Sequence, residues 1–98
     1  GVQTCALPIS YSDKETNGSG REEPLVFTVD YGNARIFHTM LGHAGATTED
    51  NIAMQCTGFQ VLLLRGAEWA ATGKVTQKVP KDFPTETTCS YRKDYKEN

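Results

Sequence analysis

The chain has 98 residues, a net charge of −2 and 38% hydrophobic residues. That length allows one small domain with a modest core. The mild acidity and lack of a basic block argue against nucleic acid or an anionic membrane as partner, and the longest apolar run, Val61 to Leu64, falls far short of the ~20 residues a membrane helix needs.

Residues 1–10, GVQTCALPIS, match nothing downstream in composition. They resemble a peptide that recurs at the ends of fragmentary gene models, where sequencing-adapter DNA has been translated. They read as a non-native segment that contributes no structure, and the chain as a fragment, so a signal peptide is neither inferred nor dismissed. Cys5 is then foreign, which leaves Cys56 and Cys89. Two lone cysteines outside any C-x-x-C pair make no disulfide framework, and Cys56 reads as a small buried hydrophobe on a helix.

Residues 11–24 (YSDKETNGSGREEP) are polar, charged and without hydrophobic period, which predicts a loop or linker. LVFTVD, residues 25–30, is β-branched and aromatic, and so predicts a strand. Tyr31 to Ala34 supply a turn, with Gly32 and Asn33 both tolerant of positive φ. Arg35 to Leu41 form the returning strand. Phe37, Thr39 and Leu41 share one face, and Ile36, His38 and Met40 the other. Both faces are mostly apolar, the pattern of a strand covered on each side. A hairpin and one helix cannot supply that cover. Mid-strand, His38 reads as a buried, hydrogen-bonded imidazole. The strand runs into Gly42 and His43, and ligands in open α/β sheets gather beyond the C-terminal ends of strands, so His43 is the candidate functional residue.

Residues 44–51 (AGATTEDN) form a polar loop whose Thr and acidic residues suit the start of a helix. The helix is predicted from about Asn51 to Thr72, with Gly73 ending it. Phe59, Leu62, Leu63, Gly66 and Ala70 make its core-facing stripe. Gly66 within that stripe costs ~1 kcal/mol against Ala, which points to a close approach of the helix to the sheet. Arg65 and Glu68 read as a flanking surface pair. Trp69 reads as core, although it and Tyr31 could also line a sugar pocket. Residues 74–98, with Pro80 and Pro84, predict an extended surface tail that docks only Val79 and Phe83, its last part (86–98) purely polar.

Four features in order carry a family resemblance across residues 24–85: a strand pair around YGNAR, the ending TMLGH, a helix entered through GFQ, and RGAEWAATGKV followed by DFP. Together they resemble the C-terminal part of the trehalose-utilisation (ThuA-like) domain. The resemblance implies an α/β chain holding a C-terminal fragment (β-hairpin, long helix and extended tail) of a three-layer fold related to class I glutamine amidotransferases. In that fold a catalytic His ends a strand just before the final helix, and His43 is similar in placement. There, an acid two residues after the His orients it, and a Cys on a tight turn attacks the amide. This chain has Gly45 two residues after His43, so glutamine hydrolysis by that triad does not follow. The resemblance implies instead a carbohydrate-linked enzyme or enzyme subunit, tied to the metabolism of trehalose or a related sugar with its reaction and substrate open, and a small-molecule ligand such as a sugar. The second reading is a non-catalytic small-ligand-binding module on the same scaffold. A metal site would need His38 and His43 brought together with Glu49 or Asp50, whose helix-capping role already explains them. The residues specify no cofactor, reaction or oligomeric state, and both a cytoplasmic and an exported location fit.

Overall fold

The computed structural model describes residues 2–6, 9–47 and 49–92, with side chains from residue 10 onward. The chain divides into two compact units, Gly1–Met40 and Leu41–Asn98. It is a mixed α/β chain with two small antiparallel sheets and helices.

In the first unit, β4 (Val26–Tyr31) is the centre of a three-stranded antiparallel sheet, flanked by β1 (Val2–Ala6) and β5 (Ala34–Thr39). Its residues, VFTVDY, are of the types that pack well on a pleated surface. The β4–β5 hairpin closes with Tyr31 opposite Ala34, leaving Gly32 and Asn33 as its two-residue loop. Only Gly32 takes positive φ, at 57°, which is the pattern of hairpin turns with glycine in the first central position.

The sheet departs from expectation at three places. β5 stops at Thr39, and the Met40 amide donates to the Leu25 carbonyl at 2.9 Å as the last link of this sheet edge. Leu41 to His43 lie beyond it, because Gly42 adopts φ +98°, a conformation no strand accommodates. Second, β5 alternates: Arg35, Phe37 and Thr39 are half-buried, while Ile36 is 47% exposed and Met40 beyond it 63%. One face of the strand is therefore open. His38 lies on that open face, exposed rather than buried, and stacks on Phe27 with ring centroids 4.4 Å apart and planes at 22°. Third, residues expected to carry no structure form strands. Val2–Ala6 pairs with β4, from Val2 opposite Tyr31 to Ala6 opposite Phe27.

The predicted linker is likewise a hairpin, β2 (Ile9–Ser12) with β3 (Arg21–Pro24). Local turn chemistry builds it where hydrophobic periodicity gives no signal. The Asp13 carboxylate accepts from the Glu15 amide at 2.8 Å, opening a 3₁₀ turn over Lys14–Thr16. Asn17 then takes the left-handed conformation that short polar side chains tolerate. Glu23 accepts from the Ser19 hydroxyl and from Arg21, both at 2.8 Å, and these bonds hold its carboxyl below the ordinary range.

In the second unit, a 3₁₀ turn (Glu49–Asn51) leads into α1 (Ile52–Gln55) and then α2 (Thr57–Thr72). The end falls where expected: Gly73 has φ 77° and its amide bonds the Trp69 carbonyl at 2.7 Å. The break at Cys56 was not expected. Cys56 is extended (φ −60°, ψ 125°) rather than helical, and half-buried. The cause is the tail. Arg92 donates its amide to the Gln55 carbonyl at 2.8 Å, and Thr57 donates to the Ser90 carbonyl at 3.0 Å, so Cys56 pairs with Tyr91 as an isolated antiparallel bridge. Distant backbone partners there replace intrahelical ones.

Of the expected stripe, Phe59 and Gly66 are buried, Leu62 and Ala70 are half-buried, and Leu63 is exposed. Val61 is buried instead, along with Thr57 and Gly58 at the start of α2. Pro84 accounts for Gly58, since a Cβ on Gly58 would approach Pro84 Cγ to 3.2 Å. The tail is thus folded rather than merely extended. Phe83 and Pro84 are half-buried, Val79 is exposed, and Arg92 pairs with Asp82 at 3.2 Å.

Arg65 and Glu68 do not spend their hydrogen bonds on each other. Arg65 donates to the Gln77 carbonyl, while Glu68 accepts from the Thr76 hydroxyl at 2.6 Å and the amides of Thr76 (2.5 Å) and Gln77 (3.2 Å). The Thr76 hydroxyl and amide, with smaller help from Gln77 and the Arg65 charge, hold the Glu68 carboxyl below its ordinary range against some desolvation. Because the folded value is the lower one, this clasp stabilises fully above the ordinary carboxylate range and is lost as pH falls through the lowered folded value. In an NMR pH titration of the folded protein, the Thr76 and Gln77 amide shifts should titrate with a midpoint below that range, and Glu68→Gln should remove the transition. A midpoint at or above the ordinary value contradicts the clasp.

Candidate functional site

His43 is placed by the residue before it. Gly42 lies against the ring of Phe59, and a Cβ there would collide with that ring. Phe59 is itself 9% exposed. The backbone one residue before His43 is therefore fixed against a buried aromatic, while the imidazole is exposed. Among the described residues, no hydrogen bond or ion pair involves that imidazole.

The loop beyond His43 is tied to the turn that follows it. Thr47 and Asp50 cap each other: the Thr47 amide (3.3 Å) and hydroxyl (2.8 Å) donate to the Asp50 carboxylate, and the Asp50 amide donates to the Thr47 hydroxyl at 3.3 Å. The Gly45 amide donates to the Asn51 side-chain oxygen at 2.8 Å. A Cβ on Gly45 would collide with the Asp50 side chain. An acid at position 45 has no room in this loop, which is a structural reason for the missing His-orienting carboxylate. Asp50 is committed to capping and Glu49 is exposed in the same turn.

An exposed imidazole on a braced loop can hydrogen-bond a hydroxyl or move a proton. His38 belongs to the first unit, as does Tyr31, which is exposed at the hairpin turn. Trp69 is half-buried on α2. Cys56 and Cys89 are free thiols. Among the described residues, no group of three or more His, Cys, Asp or Glu could hold a metal ion, and no helix is long and apolar enough to cross a membrane. Sequence reasoning overlooked Arg65, Lys78 and Arg92, which gather around one cavity beside α2. No motif marks them, because only the folding of the tail makes them neighbours.

No protein-family model and no curated protein matches the chain. Among solved structures it is similar to a crystal structure, at 1.75 Å resolution, of a "Putative thua-like protein" from Parabacteroides merdae ATCC 43184. The identity is 98% and the TM-score 0.81, over 92% of this chain and 32% of that one. The chain thus spans about a third of the length of that relative. This match supports the likeness read from YGNAR, TMLGH and RGAEWAATGKV: the chain is similar to a stretch of a protein described as ThuA-like.

Proposed function

We propose that this chain is one part of a ThuA-like protein of carbohydrate metabolism, acting on trehalose or a related sugar, and that His43 is its contribution to the site. The 98% identity to the ThuA-like structure carries this reading. The sugar link rests on the family's association with trehalose and related sugars. His43 would hydrogen-bond a sugar hydroxyl or exchange a proton with it, from a position set by Gly42 against Phe59.

A three-layer arrangement related to class I glutamine amidotransferases belongs to the same proposal. It is supported by what the chain leaves open: Ile36 and Met40 on one face of the hairpin, and Leu63, 42% exposed, on α2. Further polypeptide of the relative's length would cover such surfaces. The 98-residue chain alone is therefore expected to melt broadly, with helical far-UV dichroism outlasting the near-UV signal and with dye binding to apolar surface before the melt. A sharp transition coincident in both signals contradicts the shared-core reading.

The site itself is tested in the Parabacteroides merdae relative, at the positions matching this numbering. His43→Ala should lower trehalose binding or turnover by about a hundredfold or more, while costing ~1 kcal/mol or less in stability because the side chain is exposed. Gly42→Ala should do the opposite at first hand, costing ~2 kcal/mol or more through its positive φ and the collision with Phe59. Undiminished sugar handling in His43→Ala contradicts the assignment. Binding of the sugar without turnover in the parent protein would make the site a ligand-holding module.

A further inference from the structure

Beside α2, the chain forms a solvent-open cleft of about 140 Å³ with an apolar wall and a cationic rim. Val61, Leu64 and Pro80 form the wall, and Arg65, Lys78 and Arg92 the rim. The folding of the tail creates it: Gly73 ends the helix, the Glu68 clasp on Thr76 and Gln77 turns the chain back along α2, and the Thr57–Ser90 and Gln55–Arg92 backbone bonds return residue 92 to the helix break.

The charges at the rim are unequal. Arg92 is paired with Asp82 at 3.2 Å. Arg65 donates to the Gln77 carbonyl, and its charge is felt by Glu68. Lys78 is exposed and has no hydrogen bond or ion pair among the described residues. Among the described residues, Arg65 and Arg92 thus have a carboxylate nearby and Lys78 does not. The guanidinium groups are held by these bonds yet keep N–H donors free, since each has five.

From this juxtaposition we propose that the cavity is a binding site for a small organic monocarboxylate, its apolar body against Val61, Leu64 and Pro80 and its carboxylate between Lys78 and the two arginines. Size and chemistry both favour it. The cleft's volume is close to that of a single benzene-sized ring, so a short or single-ring acid fills it. A phosphate brings no apolar body to the wall, whereas an organic acid does. Arginine also suits the planar, two-oxygen geometry of a carboxylate. The site is separate from the proposed role of His43, so either can fail alone.

Benzoate, acetate and inorganic phosphate are the probes, titrated into the Parabacteroides merdae relative by heteronuclear NMR and calorimetry, with trehalose binding measured in the same samples. Benzoate should bind saturably, in the millimolar range expected of so few atoms, shifting the amides of Gln77 and Lys78. Acetate should bind more weakly for want of an apolar body, and phosphate more weakly still. Lys78→Met should weaken benzoate about tenfold, the effect of losing one charged contact. Lys78 is exposed, so the fold should survive, and trehalose binding should not change. Leu64→Ser should weaken benzoate while leaving acetate nearly unaffected. The proposal is overturned if benzoate does not saturate, if it binds equally to Lys78→Met, if phosphate binds better than benzoate, or if a carboxylate side chain from the rest of that protein already occupies the cavity.

Discussion

The contact between the backbone at Gly42 and the ring of Phe59 sets most of what the second unit does. Phe59 is one of the few large apolar side chains that this chain buries, and it lies two residues into α2 from Thr57. A glycine is needed where the incoming segment crosses that ring, both for room and for φ +98°. The crossing ends any continuation of the strand, and it delivers His43 to the surface immediately afterwards. Downstream, the Thr47–Asp50 cap and the Gly45–Asn51 bond hold the loop against the first helical turn. An exposed imidazole is thereby presented at the surface without itself contributing to the core, so a residue there can serve a ligand at little cost to stability.

How much of this was legible in the sequence follows from the range of the forces involved. β4 was legible because VFTVDY states its preference residue by residue, and the end of α2 because Gly73 alone decides it. The break at Cys56 was not legible. Neither Gln55 nor Cys56 is a helix breaker, and the competing hydrogen bonds come from Ser90 and Arg92, far along the chain. The same tail explains why the cationic residues around the cavity were passed over and why Gly58, packed near Pro84, carried no signal. The opposite error occurred at residues 11–24. Low hydrophobicity argued for a linker, yet the Asp13 side chain caps a 3₁₀ turn and Asn17 and Gly20 take positive φ, which together close a polar hairpin. His38 was placed in the core on the assumption that both faces of β5 are covered, and the face it occupies is open.

That open face bears on the candidate site. Identity to a ThuA-like structure over 92% of the chain, but only 32% of the relative, fits a segment whose elements are locally encoded and whose burial is completed elsewhere. Turns, caps and helix ends need only neighbours within a few residues and are already satisfied. Ile36, Met40 and Leu63 find little apolar cover among the described residues. A site at His43 would be assembled the same way, with its imidazole positioned by this chain and the groups opposite it supplied by further polypeptide.

Amide hydrogen exchange at Val61 and Gly66 tests this division of labour most directly, read in the 98-residue chain alone and at the matching positions of the longer Parabacteroides merdae protein. Both are buried residues within α2, beyond its unpaired first amides, so their protection reports how well that face is packed. The account predicts weak protection in the isolated chain, close to that of a fraying helix, and protection greater by orders of magnitude in the longer protein. Equal protection in the two would contradict it, because the chain would then complete its own core.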